Sequence, residues 1–243
     1  MKKVLWETLR RTEFAACVEA GAVVVIPVGA MEQHGNHLPI NTDTNCCFRI
    51  ARAAAEAVDD FPVLVLPPVW LGYSPHHMKL PHGEGSITLS YHTFADVLSD
   101  IAASIYAHGF RRILFLNGHG GNMALVESIR LKLLEERNIP SVHGFTYWLL
   151  PGVPEAMRAM SETDKGSIGH SGEFETSLQL FLQPELVETA AAEWTSGVQG
   201  DPTAGTSEKG SRLFGVVVEA LVDLLRRYRA GEYDDDRSWR KDI

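Results

Sequence analysis

Apolar positions follow two patterns that alternate along the chain. Short unbroken runs, rich in β-branched residues, occupy residues 22–28, 61–66 and 113–116, and 140–145 continues strand-like. Such runs suit strands buried on both faces. Between them, apolar residues recur at helical spacing. Leu9, Phe14, Cys17 and Val18 predict a helix over 6–20, and an alanine-rich stretch predicts one from Thr42 or Asp43 to about Val58. Phe94, Val97, Leu98, Ile101 and Ile105 predict a third over 91–108, and a fourth runs from Met123 to about Arg137. Leu213, Val216, Val217, Ala220, Leu221 and Leu224 predict the last, over 209–229. Gly21 and Gly109 end two of these helices. A further helix opens in the segment GHSGEFETS and reaches about Phe181, whereas 151–168 and 185–208 read as loop. Strands alternating with helices predict an α/β fold with an open sheet.

The strand over 22–28 runs straight into a polar loop holding Glu32, Gln33, His34, His37 and Asp43. In open α/β sheets, ligands bind beyond the carboxyl ends of strands. Glu32 and His34 lie two apart and project to one side of an extended backbone, so that with Asp43 they offer oxygen, nitrogen and oxygen donors to one point. That set suits zinc, manganese or iron(II) better than magnesium or calcium. A helix cap is the rival role for Asp43, with Thr42 as the alternative cap.

The strand over 113–116 ends in NGHGGN, whose glycines let the backbone turn sharply and present His119. No G-x4-G-K-S/T or G-x-G-x-x-G follows a strand, so a phosphate cradle is not indicated. In GHSGEFETS, His170 precedes a helix whose first turn holds Glu173. One reading is an N-terminal cap around Ser171; the other is a catalytic histidine with a ligand carboxylate three residues on. The long loop over 67–89 carries His76, His77, His82 and Glu84, and loops of that length tend to be binding segments. Its histidines are expected to border the site as a group, although each one singly suits the surface or a subunit contact.

Composition narrows the partners. Against 31 acidic residues stand 22 basic ones, for a net charge of −9, without a Lys/Arg stripe of the kind that binds nucleic acid. No apolar run approaches the roughly 18 residues of a membrane span, and the opening MKKVLWETLRRTEF lacks the apolar core of a signal peptide. A soluble cytoplasmic protein without nucleic-acid or membrane partners is expected. Cys17, Cys46 and Cys47 form no disulfide framework and read as small core residues. The length suits one domain over 1–243, with a charged, loosely held tail.

EQHGNHLPINTDT, NGHGGN and GHSGEFETS, in that order, resemble the creatininase (creatinine amidohydrolase) family, and the likeness spans about residues 5–187. The resemblance implies a three-layer α/β/α sandwich around a mostly parallel sheet, assembled as a homohexamer. It further implies two divalent ions per subunit (zinc, manganese or iron) and hydrolysis of a C–N bond in a small amide by a metal-bridging hydroxide. By the same likeness, Glu32 and His119 would bind one ion, His34 the other, and Asp43 both. His170 would serve as acid/base and Trp148 would line the substrate pocket, where His37 and His76 are also expected.

Two departures from creatininase proper offset one another. A metal-binding Glu of that enzyme is replaced here by Gly121, and an apolar residue there is replaced by Glu173, so Glu173 is expected to supply the missing carboxylate. A second pocket tryptophan would fall at 165–167 and is absent, which argues against creatinine as substrate. Other cyclic amides, formamides, peptides as in mycofactocin maturation, and oxidised cyclitols or sugars stay open. Outside hydrolysis, the rivals are a non-catalytic metal-binding protein or sensor on this scaffold, and a metal-free isomerase using Glu32 and His34.

Overall fold

The computed structural model describes residues 2–163 and 168–234. In chain order the elements are α1 (Phe14–Glu19), β1 (Val23–Val28), α2 (Thr42–Ala57), β2 (Val63–Val65), α3 (Tyr91–Ala107) and β3 (Arg112–Asn117). They continue with α4 (Met123–Arg137), β4 (Val142–Thr146), α5 (Val153–Met160), α6 (Glu173–Leu182) and α7 (Ser207–Arg229). The apolar runs form one sheet in the order β2-β1-β3-β4, with every neighbouring pair parallel.

Alternation along the strands makes the three layers. Val23 and Val25 of β1, with Leu114 and Leu116 of β3, pack into one core with Ile50 of α2, Leu178 of α6 and Leu213, Val217 and Leu221 of α7. Val24, Ile26 and Val28, with Ile113 and Phe115, pack into the other, against Phe94 and Leu98 of α3 and Ile129 and Leu133 of α4. A strand's side chains alternate between faces, so central strands that are apolar on both faces, as β1 and most of β3 are, need a helical layer on each side.

Two predicted segments differ. The helix predicted over 6–20 is broken into 3-10 turns at Trp6–Thr8 and Arg11–Glu13 followed by the short α1. The Trp6 and Phe14 rings sit 4.6 Å apart, whereas an unbroken helix would separate those residues by about 12 Å along its axis. Packing both rings against Phe110 requires the bend. Conversely, the segment read as loop contains α5, whose Val153, Met157 and Met160 are buried at helical spacing behind a first-turn proline. Residues 165–167, where the second tryptophan was sought, and the tail beyond 234 lie outside the described residues. Among the described residues no helix is long and apolar enough to cross a membrane.

Candidate metal centre

Register brings the loops together. Val28, Asn117 and Thr146 pair side by side at the carboxyl ends of β1, β3 and β4. The loops carrying Glu32 and His34, His119, and Trp148 therefore leave one edge. Asn117 shapes the second of them: its Nδ2 donates to His119 O and Thr146 Oγ1, and its Oδ1 accepts from His119 N at 3.1 Å. Gly118 lets this turn press on α2, since a Cβ there would stand 2.8 Å from Asp43 O. His119 is thereby set against Asp43. Asp43, in the first turn of α2, caps nothing, and Thr42 Oγ1 donates to Pro39 O instead.

Three buried histidines share one arrangement. His34 Nδ1 donates to Glu32 O (3.0 Å), His119 Nε2 to Tyr73 O (3.2 Å) and His170 Nε2 to Gln33 O (2.8 Å). A carbonyl oxygen only accepts, so each ring's proton sits on that side and its other nitrogen turns inward. There His34 Nε2 meets Asp43 Oδ1 at 3.1 Å and Glu175 Oε2 at 3.6 Å. His119 Nδ1 meets Asp43 Oδ2 at 3.0 Å and Glu32 Oε1 at 3.2 Å. His170 Nδ1 stands 3.5 Å from Glu32 Oε1. Glu32 is held from behind by the Ser74 hydroxyl, and Glu175 by the Ser171 amide.

The electrostatics of the cluster call for added positive charge. Burial opposes ionisation of His34 and His119, yet the surrounding carboxylates outweigh it and lift both to about 10. Asp43 is held well below the usual carboxylate range, because the two imidazoles overcome its burial. Glu175, more deeply governed by burial, rises to about 7. Burial, then the neighbouring His34, pushes His170 down to about 2. Asp43 Oδ2 is also buried without an aligned hydrogen bond. Protons on His34 and His119 occupy the places where cations would sit, and the mixed nitrogen and carboxylate donors fit divalent metals of the zinc or manganese kind. Four triads converge to within 4.8 Å, namely Glu32–His34–Asp43, His34–His170–Glu175, Glu32–His77–His170 and Glu32–His76–His119.

The expected place of Glu173 is corrected. Its carboxylate turns away from the cluster, 2.8 Å from Lys209 Nζ, and accepts from Ser161 Oγ, Glu162 N and Thr163 Oγ1. Glu175 stands beside His34 instead. Positions 173 and 175 differ by about 200° around a helix, so only one of them can face the site, and Lys209 on α7 claims the other. His37 is likewise not at the cavity: it is buried against Thr176 Oγ1 at 2.9 Å. Trp148 and His76 do line the cavity of about 520 Å³ over the cluster, with His77, Leu80 and Ile168. Helical spacing within GHSGEFETS was the signal available for Glu175. None in the sequence separated His77 from its neighbour His76.

Comparison with known proteins gives the same direction. Residues 7–225 match the creatininase family, described as creatinine amidohydrolase. A mycofactocin precursor peptide peptidase of Mycolicibacterium smegmatis is 30% identical over 233 residues, covering 85% of each chain. A creatinine amidohydrolase of Pseudomonas putida is 30% identical over 258 residues, covering 93% of this chain and 97% of that one. Among solved structures, a creatininase variant of the zinc-zinc type superposes with a TM-score of 0.80 at 28% identity, covering 93% of this chain and 98% of the other. Family match, near-complete coverage of the relatives and a shared fold converge on one statement: the chain belongs to the creatininase family of hydrolases.

Proposed function

We propose that the protein is a two-metal amide hydrolase. The observation that carries this reading is Asp43, whose two oxygens face different imidazoles, Oδ1 toward His34 at 3.1 Å and Oδ2 toward His119 at 3.0 Å. A carboxylate so divided is built to serve two cations. Glu32, Asp43 and His119 would hold one, and His34, Asp43 and Glu175 the other. When bound, such ions supply Lewis acidity and lower the pKa of a coordinated water toward about 7.

The chain's own groups do the rest. Hydrogen bonds to backbone carbonyls fix the ligand imidazoles and raise their basicity. His170, with its proton held on Nε2 by Gln33 O, turns an unprotonated Nδ1 toward the cluster. It therefore rests unprotonated as an acceptor toward the attacking water, and the low basicity that burial and His34 give it makes its protonated form a ready donor to the leaving nitrogen. Trp148, Leu80 and Ile168 give the cavity apolar walls. At about 520 Å³ it accommodates a small amide or the end of a peptide. The names of two relatives, a peptidase and an amidohydrolase, support C–N cleavage as the chemistry, while a third, a 3-dehydro-scyllo-inosose hydrolase of Thermotoga maritima, supports an oxidised cyclitol as the second reading.

The test is metal content per chain by elemental analysis, with hydrolysis of creatinine, formamides and short peptides followed before and after chelation. Two ions per chain, and activity lost on chelation and regained with zinc or manganese, are expected. No bound ions and no rescue would defeat the proposal.

A further inference from the structure

His77 breaks the rule that the other buried site histidines follow. Its inner neighbour is the Gln33 side chain, and the orientation of that amide is fixed. Gly35 N donates to Gln33 Oε1 at 2.9 Å, so the opposite end, which stands 2.8 Å from His77 Nδ1, is the NH2 group. An amide NH2 only donates. His77 Nδ1 is therefore the acceptor, the ring is neutral, and its proton sits on Nε2. That nitrogen points into the cluster, 3.5 Å from Glu32 Oε1, beyond a good N–H···O bond. The 3.3 Å approach of Gln33 Nε2 to His170 Nε2 is a contact between two donors, since the His170 proton goes to Gln33 O.

One residue thus sets two adjacent rings in opposite senses. The backbone carbonyl of Gln33 turns a lone pair of His170 toward the site, and the side chain of Gln33 turns an N–H of His77 toward it. The two rings lie 4.2 Å apart, and both border the cavity. His34 and His119 can release an inward proton to a metal and stay neutral, but Gln33 holds His77 Nδ1 as an acceptor, so Nε2 keeps the only proton of the ring, and the convergence of Glu32, His77 and His170 does not make a third ion site.

We propose that His77 is a neutral hydrogen-bond donor to the oxygen of the substrate carbonyl, where negative charge develops during attack, and that Gln33 is the positioning residue that fixes its tautomer. A neutral imidazole suits this work because it donates a hydrogen bond to a growing oxyanion without giving up its proton. The proposal rests on the hydrolase reading for the identity of the acceptor, whereas the tautomer is a property of the chain alone.

The test uses the full-length zinc-loaded protein, labelled with 15N at histidine, in two-bond 15N–1H spectra that report which ring nitrogen carries hydrogen. His77 is assigned by its loss in His77→Gln. The wild-type spectrum should show His77 protonated on Nε2. Gln33→Glu, nearly isosteric, accepts where the amide donated, so it should move the proton to Nδ1 while His170 stays protonated on Nε2. Acetohydroxamate, an oxygen-donor probe for the metals, should bind on the order of tenfold more weakly to His77→Phe and to Gln33→Glu, and His77→Gln, which keeps an N–H, should recover most of the loss. A wild-type His77 protonated on Nδ1, or one ligating zinc through Nε2, would overturn the assignment. Unchanged probe binding in both weakened variants, with two zinc ions still present, would overturn the donor role. Failure of the wild-type protein to take up zinc is the separate result that defeats the hydrolase reading.

Discussion

Replacing Glu175 by glutamine should strengthen the metal-free fold and weaken the metal-loaded one. The carboxyl is raised from its ordinary 4.5 to about 7, chiefly by burial and further by Asp43, with His34 opposing. At about 1.4 kcal/mol for each pH unit, ionised Glu175 costs the metal-free protein about 3 kcal/mol. The native state holds a proton that the unfolded chain releases between about pH 4.5 and 7. Metal-free stability therefore falls as pH rises through that window, and stays lower above it. Glutamine keeps the shape and removes the charge. Urea unfolding of chelator-treated protein at pH 8 should show the variant more stable by about 3 kcal/mol, and at pH 4.5 nearly equal to wild type. With zinc present the order reverses, because the ion beside His34 loses a carboxylate, and elemental analysis should fall from two ions toward one. A variant that holds two ions as tightly as wild type and gains no metal-free stability at pH 8 would refute the placement of Glu175.

Other outcomes follow from the same geometry. Lys209→Met strands buried Glu173 without its cation and should destabilise the protein by about 3 kcal/mol in urea while both ions remain; lost metal would return Glu173 to the site. Gly121→Ala would place a Cβ 2.4 Å from Tyr73 O and 2.5 Å from His119 Nε2. That collision with backbone should displace His119 and lower metal content, whereas unchanged content would remove His119 from the ligands. His170→Ala should keep two ions and lose turnover on whichever amide the substrate screen identifies, and normal turnover would exclude it as acid/base.

The sequence by itself determined the layers and the address of the site. Apolar runs on both faces of the central strands required a helical layer on each side, and polar residues just past the ends of β1 and β3 marked the edge where Glu32, His34 and His119 meet. These are local properties, set by periodicity and by the abrupt change from apolar to polar. Only the tertiary structure decided which carboxylate of GHSGEFETS faces inward, since that depends on α7 bringing Lys209 to Glu173. It also decided that His37 turns away to Thr176, and that Trp6 folds back onto Phe14 and breaks a helix with good local spacing. The tautomers of His77 and His170 rest on a hydrogen-bond network between residues up to 137 positions apart. Spacing along a chain sets the face on which a side chain starts. The partners that arrive from elsewhere set where its charge and its protons end.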